Sequence, residues 1–361
     1  MKRLVFTVTN DLNFDQRMIR ICTSLQSAGY DVSLVGVRFK NSGDLRYQNF
    51  SQHRIFCFFR KGFHFYLEYN LKLFIHLFFR KLDLICAIDL DTILPCLLLS
   101  KIRQKKRVYD AHELFCEMKE VVTRKRIYRF WKQVERLAVP RFAYGYTVND
   151  IIQNMLYKDY HVNYEVIRNI AVFRNVDQQE PEDFIIYQGA VNEGRSFETL
   201  IPAFKDVDVP LHIYGDGNFM HQAIQLIQFH KLEKKVILKG KTLPDKLRQI
   251  TPKALLGITL FENNGLSNYY SLANRFFDYM HAGIPQICVN YPVYKGINEK
   301  FEVSILVDDI SSDGLSSTIN AALRDRAKLA VLRKNCSLAK EVYNWQNEEK
   351  KLVNFYNQIF E

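Results

Sequence analysis

Short apolar runs alternate with helix-periodic segments along this chain, and the alternation runs through twice. Residues 4–9 read as a strand, and residues 14–28, from Phe14 onward, carry Met18, Ile21, Cys22 and Leu25 at helical spacing. Gly29 stops that helix, and residues 32–37 read as the next strand. A strand, a helix and a strand in so short a stretch form a βαβ unit, whose two strands must run parallel. Residues 84–88, 107–109, 144–148 and 165–168 continue the series. A second series starts near residue 183, with runs at 184–188, 211–214, 236–239, 255–260, 286–289 and 304–307 and with Gly189, Gly215, Gly240 and Gly283 at turns. Between the two, residues 169–179 lose the apolar period and gather Asn169, Asp177 and Gln179. The pattern predicts an α/β protein of two Rossmann-like, doubly wound domains facing each other across a cleft, with ligands at the C-terminal ends of strands. The first domain is expected over residues 1–172. A last amphipathic helix at 345–361, with Leu352, Phe355, Tyr356 and Ile359 on one face, is assigned to it as well. The second domain is expected over 173–344.

Charge divides the chain in the same way. Of the net +11, residues 1–172 carry +12 and the remainder −1, so a cationic domain precedes a nearly neutral one. Within the first, residues 53–81 hold ten Phe or Tyr, six Lys or Arg and a single acid, Glu68. His64, Glu68, Lys72, His76 and Arg80 recur every four residues, a narrow polar stripe on an otherwise apolar helix. Such a helix either lies in an anionic membrane interface or is covered as a core helix. The coincidence of charge with aromatics favours contact with an anionic membrane through 53–81 and 101–136. No run of 18 uncharged apolar residues occurs, so no helix is expected to span a bilayer. The N-terminus reads as a strand and not as a signal peptide. Seven cysteines without a C-x-x-C pair read as buried reduced thiols. The expected location is the cytoplasm, at the inner face of the cell membrane.

Two segments of the second domain carry chemistry. Residues 271–283 read as a helix with Ser271 as N-cap and Gly283 as its stop. Ser271, Asn274, Arg275 and Asp278 then share one face. A carboxylate there suits the vicinal hydroxyls of a ribose and a guanidinium suits a phosphate, although an exposed i,i+3 salt bridge would use the same residues. Residues 184–204 run from a strand through a loop with Gly189 and Gly194 to a helix near Ser196, and Arg195 adds a fixed charge. This is neither G-x-G-x-x-G nor a Walker loop. Together with Arg275, however, it offers two guanidiniums to a diphosphate. In the first domain, Asn10 and Asp11 end the first strand, Asp15 and Arg17 follow, and Asp110, His112 and Glu113 come after another strand. His112 reads as a site residue or as a satisfied structural histidine. Asp89-Leu90-Asp91 resembles a metal-binding D-x-D, but two carboxylates alone do not specify a metal, and none is expected.

The residues also resemble a known family. The opening TNDLNFDQRMIRICTSLQSAGYDVSLVG, the middle AIDLDTILP and VYDAHELFCEM, then VIRNI, YQGAVNEGRSFETLI, YYSLANRFFDYMHAGIPQI and the terminal YNWQNEEKKLVNFY are similar to GT-B glycosyltransferases. They are closest to the retaining family-4 group that builds bacterial surface polysaccharides. By position, the resemblance implies that Asp278 holds the donor ribose, that Arg195 and Arg275 hold the donor diphosphate, and that His112 lies near the transferred sugar. Two departures stand out. The family places two glutamates eight positions apart, whereas here Asp278 takes the second place and Tyr270 the first. Glu262 lies too far back unless residues 263–269 loop out. The usual glycine pair after the first strand is absent as well.

The expected function is transfer of a sugar from a nucleotide-diphosphate sugar to a glycan or lipid-linked acceptor, with retention and with neither metal nor other cofactor. Arg195, Arg275 and His112 are the expected catalytic residues. Gly189, Gly194, Ser271, Asn274 and Asp278 complete the donor side, and Asn10, Asp11, Asp15, Arg17 and Glu113 the acceptor side. The rivals are an epimerase or hydrolase of the same fold and a catalytically silent nucleotide-sugar-binding scaffold. A nucleic-acid binder ranks last, because the aromatics form helix stripes and not a stacking sheet.

Overall fold

A computed structural model describes residues 1–13, 15–174 and 179–361; Phe14 and Asp177 lie outside the described residues. The chain divides into two compact units, one of Met1–Asn169 with Glu348–Glu361, the other of Ile170–Asn347.

Unit 1 holds strands β1 (Arg3–Thr7), β2 (Asp31–Arg38), β3 (Ser51–Phe56), β4 (Leu84–Ile88), β5 (Lys106–Ala111), β6 (Tyr144–Thr147) and β7 (Glu165–Val166). They pair in the order β3-β2-β1-β4-β5-β6-β7, parallel throughout. Every residue of β4 is buried, as expected of a central strand covered by helices on both faces. β3 was not expected from the sequence. Its burial is mostly partial, so its apolar residues show no clean alternation, and it forms the edge of the sheet. The first helix is Gln16–Ser27, capped by the Asp15 carboxylate, which accepts the Met18 N–H at 3.0 Å. The final helix, Trp345–Phe360, returns to this unit from Glu348 onward. There Tyr356 packs on Phe6 with centroids 6.0 Å apart, and Tyr30 donates to Asn357 at 2.7 Å.

Unit 2 holds β8 (Ile185–Gln188), β9 (Leu211–Tyr214), β10 (Val236–Gly240), β11 (Leu256–Thr259), β12 (Gln286–Val289) and β13 (Ser304–Val307). Their order is β10-β9-β8-β11-β12-β13, again parallel. In both sheets the chain first builds outward on one side and then crosses to the other, so each has a switch point, at β1/β4 and at β8/β11. Loops leaving the C-terminal ends of such neighbours diverge and leave a crevice for ligands. All seven cysteines are buried and unbridged.

Candidate functional site

The unit 2 switch point explains how two distant arginines meet. β8 ends at Gln188, and Gly189 turns the chain with φ +130°, a conformation open to glycine. The neighbouring β11 leads into Phe261. The Arg195 guanidinium, from the loop after β8, sits over the Phe261 ring with its carbon 4.2 Å from the centroid. Arg275, from the helix Asn274–Ala282, lies 5.0 Å from the same centroid and 4.5 Å from that of Tyr187. Arg275 is 7% exposed, which excludes the exposed salt bridge on a solvent face. Its Nη1 is buried without a hydrogen-bond partner and lies 3.6 Å from where a Cβ on Gly189 would stand. The ring stacking holds two like charges together, and a buried guanidinium donor left unmatched by protein suits an anion.

The helix bearing Arg275 is pinned to β8. Tyr279 donates to the Ile186 carbonyl at 3.2 Å, and its hydroxyl accepts the Gln188 N–H at 3.0 Å. One turn after Arg275, the half-buried Asp278 accepts from the Gln188 amide at 3.1 Å, and Gln188 in turn accepts from Thr251 at 2.7 Å. Asn274 is exposed at the start of the helix. Ser271 is not the N-cap. The helix starts three residues later with Ala273 at that position, because the Tyr294 hydroxyl takes the Ala273 N–H at 3.0 Å and stands 3.3 Å from the Ser271 hydroxyl. Gly283 does end the helix, at φ +70°.

Residues 263–269 do form an excursion, with a helical turn at Leu266–Tyr269. Glu262, three residues past β11, lies beside the glycine loop, where its N–H donates to the Gly194 carbonyl at 3.1 Å. A chain of side-chain bonds runs on from there: Asn268 donates to Asn264, and Asn264 to Glu262, each at 2.8 Å. Asn264 and Asn268 crowd Gly194, at φ +79°. Phe261, Tyr187, Gln188, Thr251 and these asparagines escaped sequence reasoning. Their spacing carries no signal, since only the pairing of β8 with β11 brings them together. Gly215 is part of the same frame. A Cβ there would stand 1.8 Å from the Gly189 carbonyl oxygen, so Gly215→Ala must displace the turn. We expect a loss of about 2–3 kcal/mol in urea unfolding.

In unit 1 the candidate residues follow the C-terminal ends of β1 and β5 or lie at the start of the first helix. Asn10 donates to Asp15 at 3.0 Å, and Asp15 is committed to capping its helix. Asp11 accepts the Asn13 N–H at 3.2 Å. Arg17 does not face a ligand. It is buried, with Nε and Nη2 donating to the two oxygens of buried Asp110 at 3.1 and 2.8 Å and Nη1 donating to the Ile167 carbonyl at 3.3 Å. Asp89, at φ +52°, accepts the His112 N–H at 3.0 Å, and Asp91 accepts from Thr9 at 2.5 Å. Burial, followed by the charges of Glu113, Asp91 and Asp110, pushes the Asp89 carboxyl well up, and burial takes Asp91 to about 6. Burial and the nearby Arg17 and Arg20 lower His112 to about 3. The imidazole is therefore neutral near pH 7. Among the described residues, no three His, Cys, Asp or Glu side chains converge as a metal-holding group.

Two parallel-sheet units, one with paired arginines at its switch point, define a class, and comparison with solved structures finds that fold along the whole chain. Sucrose-phosphate synthase of Thermosynechococcus elongatus superposes with a TM-score of 0.78 at 15% identity, covering 100% of this chain and 99% of its own. Anabaena Alr3699/HepE, solved with UDP and glucose, gives 0.76 at 14% identity over 99% and 100%. WaaG, a glycosyltransferase involved in lipopolysaccharide biosynthesis, gives 0.73 at 12% identity over 97% and 98%. At such identities the likeness establishes the GT-B fold. Residues 170–338, just under half of the chain, match the family model for glycosyl transferases group 1. No curated protein matches it.

Proposed function

We propose that this chain is a glycosyltransferase that moves a sugar from a nucleotide-diphosphate sugar to a glycan or lipid-linked acceptor, with retention and without a metal. The observation that carries the reading is the pair of guanidiniums on one Phe261 ring, with a buried Arg275 donor unmatched by protein. A diphosphate placed there gains charge as the glycosidic bond breaks, and Arg195 and Arg275 neutralise it from fixed positions. Asp278, steadied by Gln188, is assigned the ribose hydroxyls. The sugar-containing complexes described for HepE support a donor of this kind, and the role described for WaaG supports a surface-glycan acceptor.

In this reading unit 2 binds the donor and unit 1 the acceptor, with neutral His112 beside the transferred sugar and Asn10, Asp11 and Glu113 on the acceptor side. The chain works in the cytoplasm, in peripheral contact with the inner face of the membrane through 53–81 and 101–136. Retention follows from same-face attack without a covalent intermediate, and chelators leave turnover unchanged. The test is a panel of nucleotide-diphosphate sugars screened for thermal stabilisation. At a hundredfold excess over Kd the true donor adds about 2.7 kcal/mol of stability. A panel that leaves the melting temperature unmoved contradicts the proposal.

A further inference from the structure

The helix Gly62–Phe78 is exposed on the face where a soluble helix is usually polar. Phe65, Tyr69, Leu73 and Leu77 form its inner row, anchored by the Tyr69 hydroxyl donating to the Val8 carbonyl at 2.6 Å. Its outer row is Phe63, Leu67, Leu71 and Ile75, each more than half exposed, and Phe79 follows at 82%. The polar stripe expected from the sequence lies mostly half-buried on the flank, with only His64 exposed. Glu68 bends back, accepting the Phe58 and Phe59 N–H groups at 3.0 and 3.1 Å and the Lys72 ammonium at 2.6 Å. The packed neighbour, Ile93–Ile102, repeats the pattern with exposed Leu94, Leu98 and Ile102. Arg103 ties the two helix ends together, donating to the Leu77 carbonyl at 3.3 Å and to that of Arg80.

This apolar strip is about 20 Å long, with cations at both ends: Arg60 and Lys61 at one, Arg80, Lys81 and Lys101 at the other. Neither outer row carries an acid. An exposed patch of this kind is occupied in use, and its charge selects the occupant. A second copy of the strip would set cations against cations, whereas an anionic headgroup layer matches both the ends and the middle. We propose that these two helices lie flat in the interface of an anionic lipid bilayer, with the outer rows immersed and the end cations among the headgroups. The helices do not cross: no helix among the described residues is long and apolar enough to span a membrane. The inference rests on the membrane contact proposed above and fixes which side chains make it.

The test is flotation of the full chain with vesicles of phosphatidylcholine alone and of phosphatidylcholine with about 30% phosphatidylglycerol. The wild type is expected to float with the anionic vesicles and to partition at least about tenfold less onto neutral ones; Leu67→Glu combined with Leu71→Glu is expected to lower anionic binding by a similar factor. Both residues are exposed, and an unchanged thermal shift with uridine diphosphate shows that the variant is folded. No flotation of the wild type, equal flotation with both vesicles, or undiminished binding by the variant overturns the proposal. So does a dimer in solution that the variant splits. Flotation in a chain that none of the nucleotide-diphosphate sugars stabilises would keep the docking strip and remove the nucleotide-sugar reading.

Discussion

Arg275→Ala is expected to lower turnover at saturating donor by about 10²–10³ while leaving unit 2 folded. Its guanidinium is stacked on Tyr187 and Phe261 with one buried donor unmatched by protein, and in the proposed reaction that donor meets charge that grows in the transition state. Losing the stacking costs about 1–2 kcal/mol of stability, well below what would unfold a domain of this size. Arg275→Lys is expected to recover only part of the rate, because an ammonium keeps the charge but loses the planar fork that rests on the rings. Steady-state kinetics with a fixed donor decides, and near-normal turnover in the alanine variant would remove Arg275 from the diphosphate site.

The second large effect falls on stability. Arg17→Ala leaves the fully buried Asp110 carboxylate facing an empty space, and we expect a loss of about 3–5 kcal/mol in the unfolding of unit 1. Burial already pushes the Asp110 carboxyl up against the pull of Arg17. Without Arg17 it rises further above its unfolded value, so the native variant binds a proton more readily than the unfolded chain. The defect is therefore expected to ease as the pH falls through that raised value and to be greatest at neutral and alkaline pH. Arg17→Met combined with Asp110→Leu removes both charges and is expected to restore most of the stability. Urea unfolding at pH 5 and pH 8 checks both statements; an equal loss at the two values would show that the pair is not what holds the region.

The sequence made the architecture readable wherever a strand was central. The run at residues 84–88 is apolar without interruption because both faces are covered, and it coincides with a strand of a parallel sheet. The edge strand β3 was illegible for the opposite reason, since only one side of it needs to be apolar. Arg195, Arg275 and Asp278 were legible as a set because their residue types, next to glycines and a bounded helix, suit an activated sugar. What brings Arg195 and Arg275 together was not. Phe261 and Glu262 are ordinary residues after a strand until β11 pairs with β8 and sets them beside the glycine loop. Arg17 shows the converse error. Its position after the first strand suggested a ligand contact, but Asp110, 93 residues away, claims it.

Whether the arginine pair holds phosphate groups is read by comparing the binding of uridine diphosphate, uridine monophosphate and uridine by the wild type, Arg195→Ala and Arg275→Ala. The wild type is expected to prefer the diphosphate to the monophosphate by about tenfold or more, each variant to lose most of that preference, and uridine to bind all three proteins alike. A wild type indifferent to the second phosphate, or variants that keep the preference in full, would contradict that role.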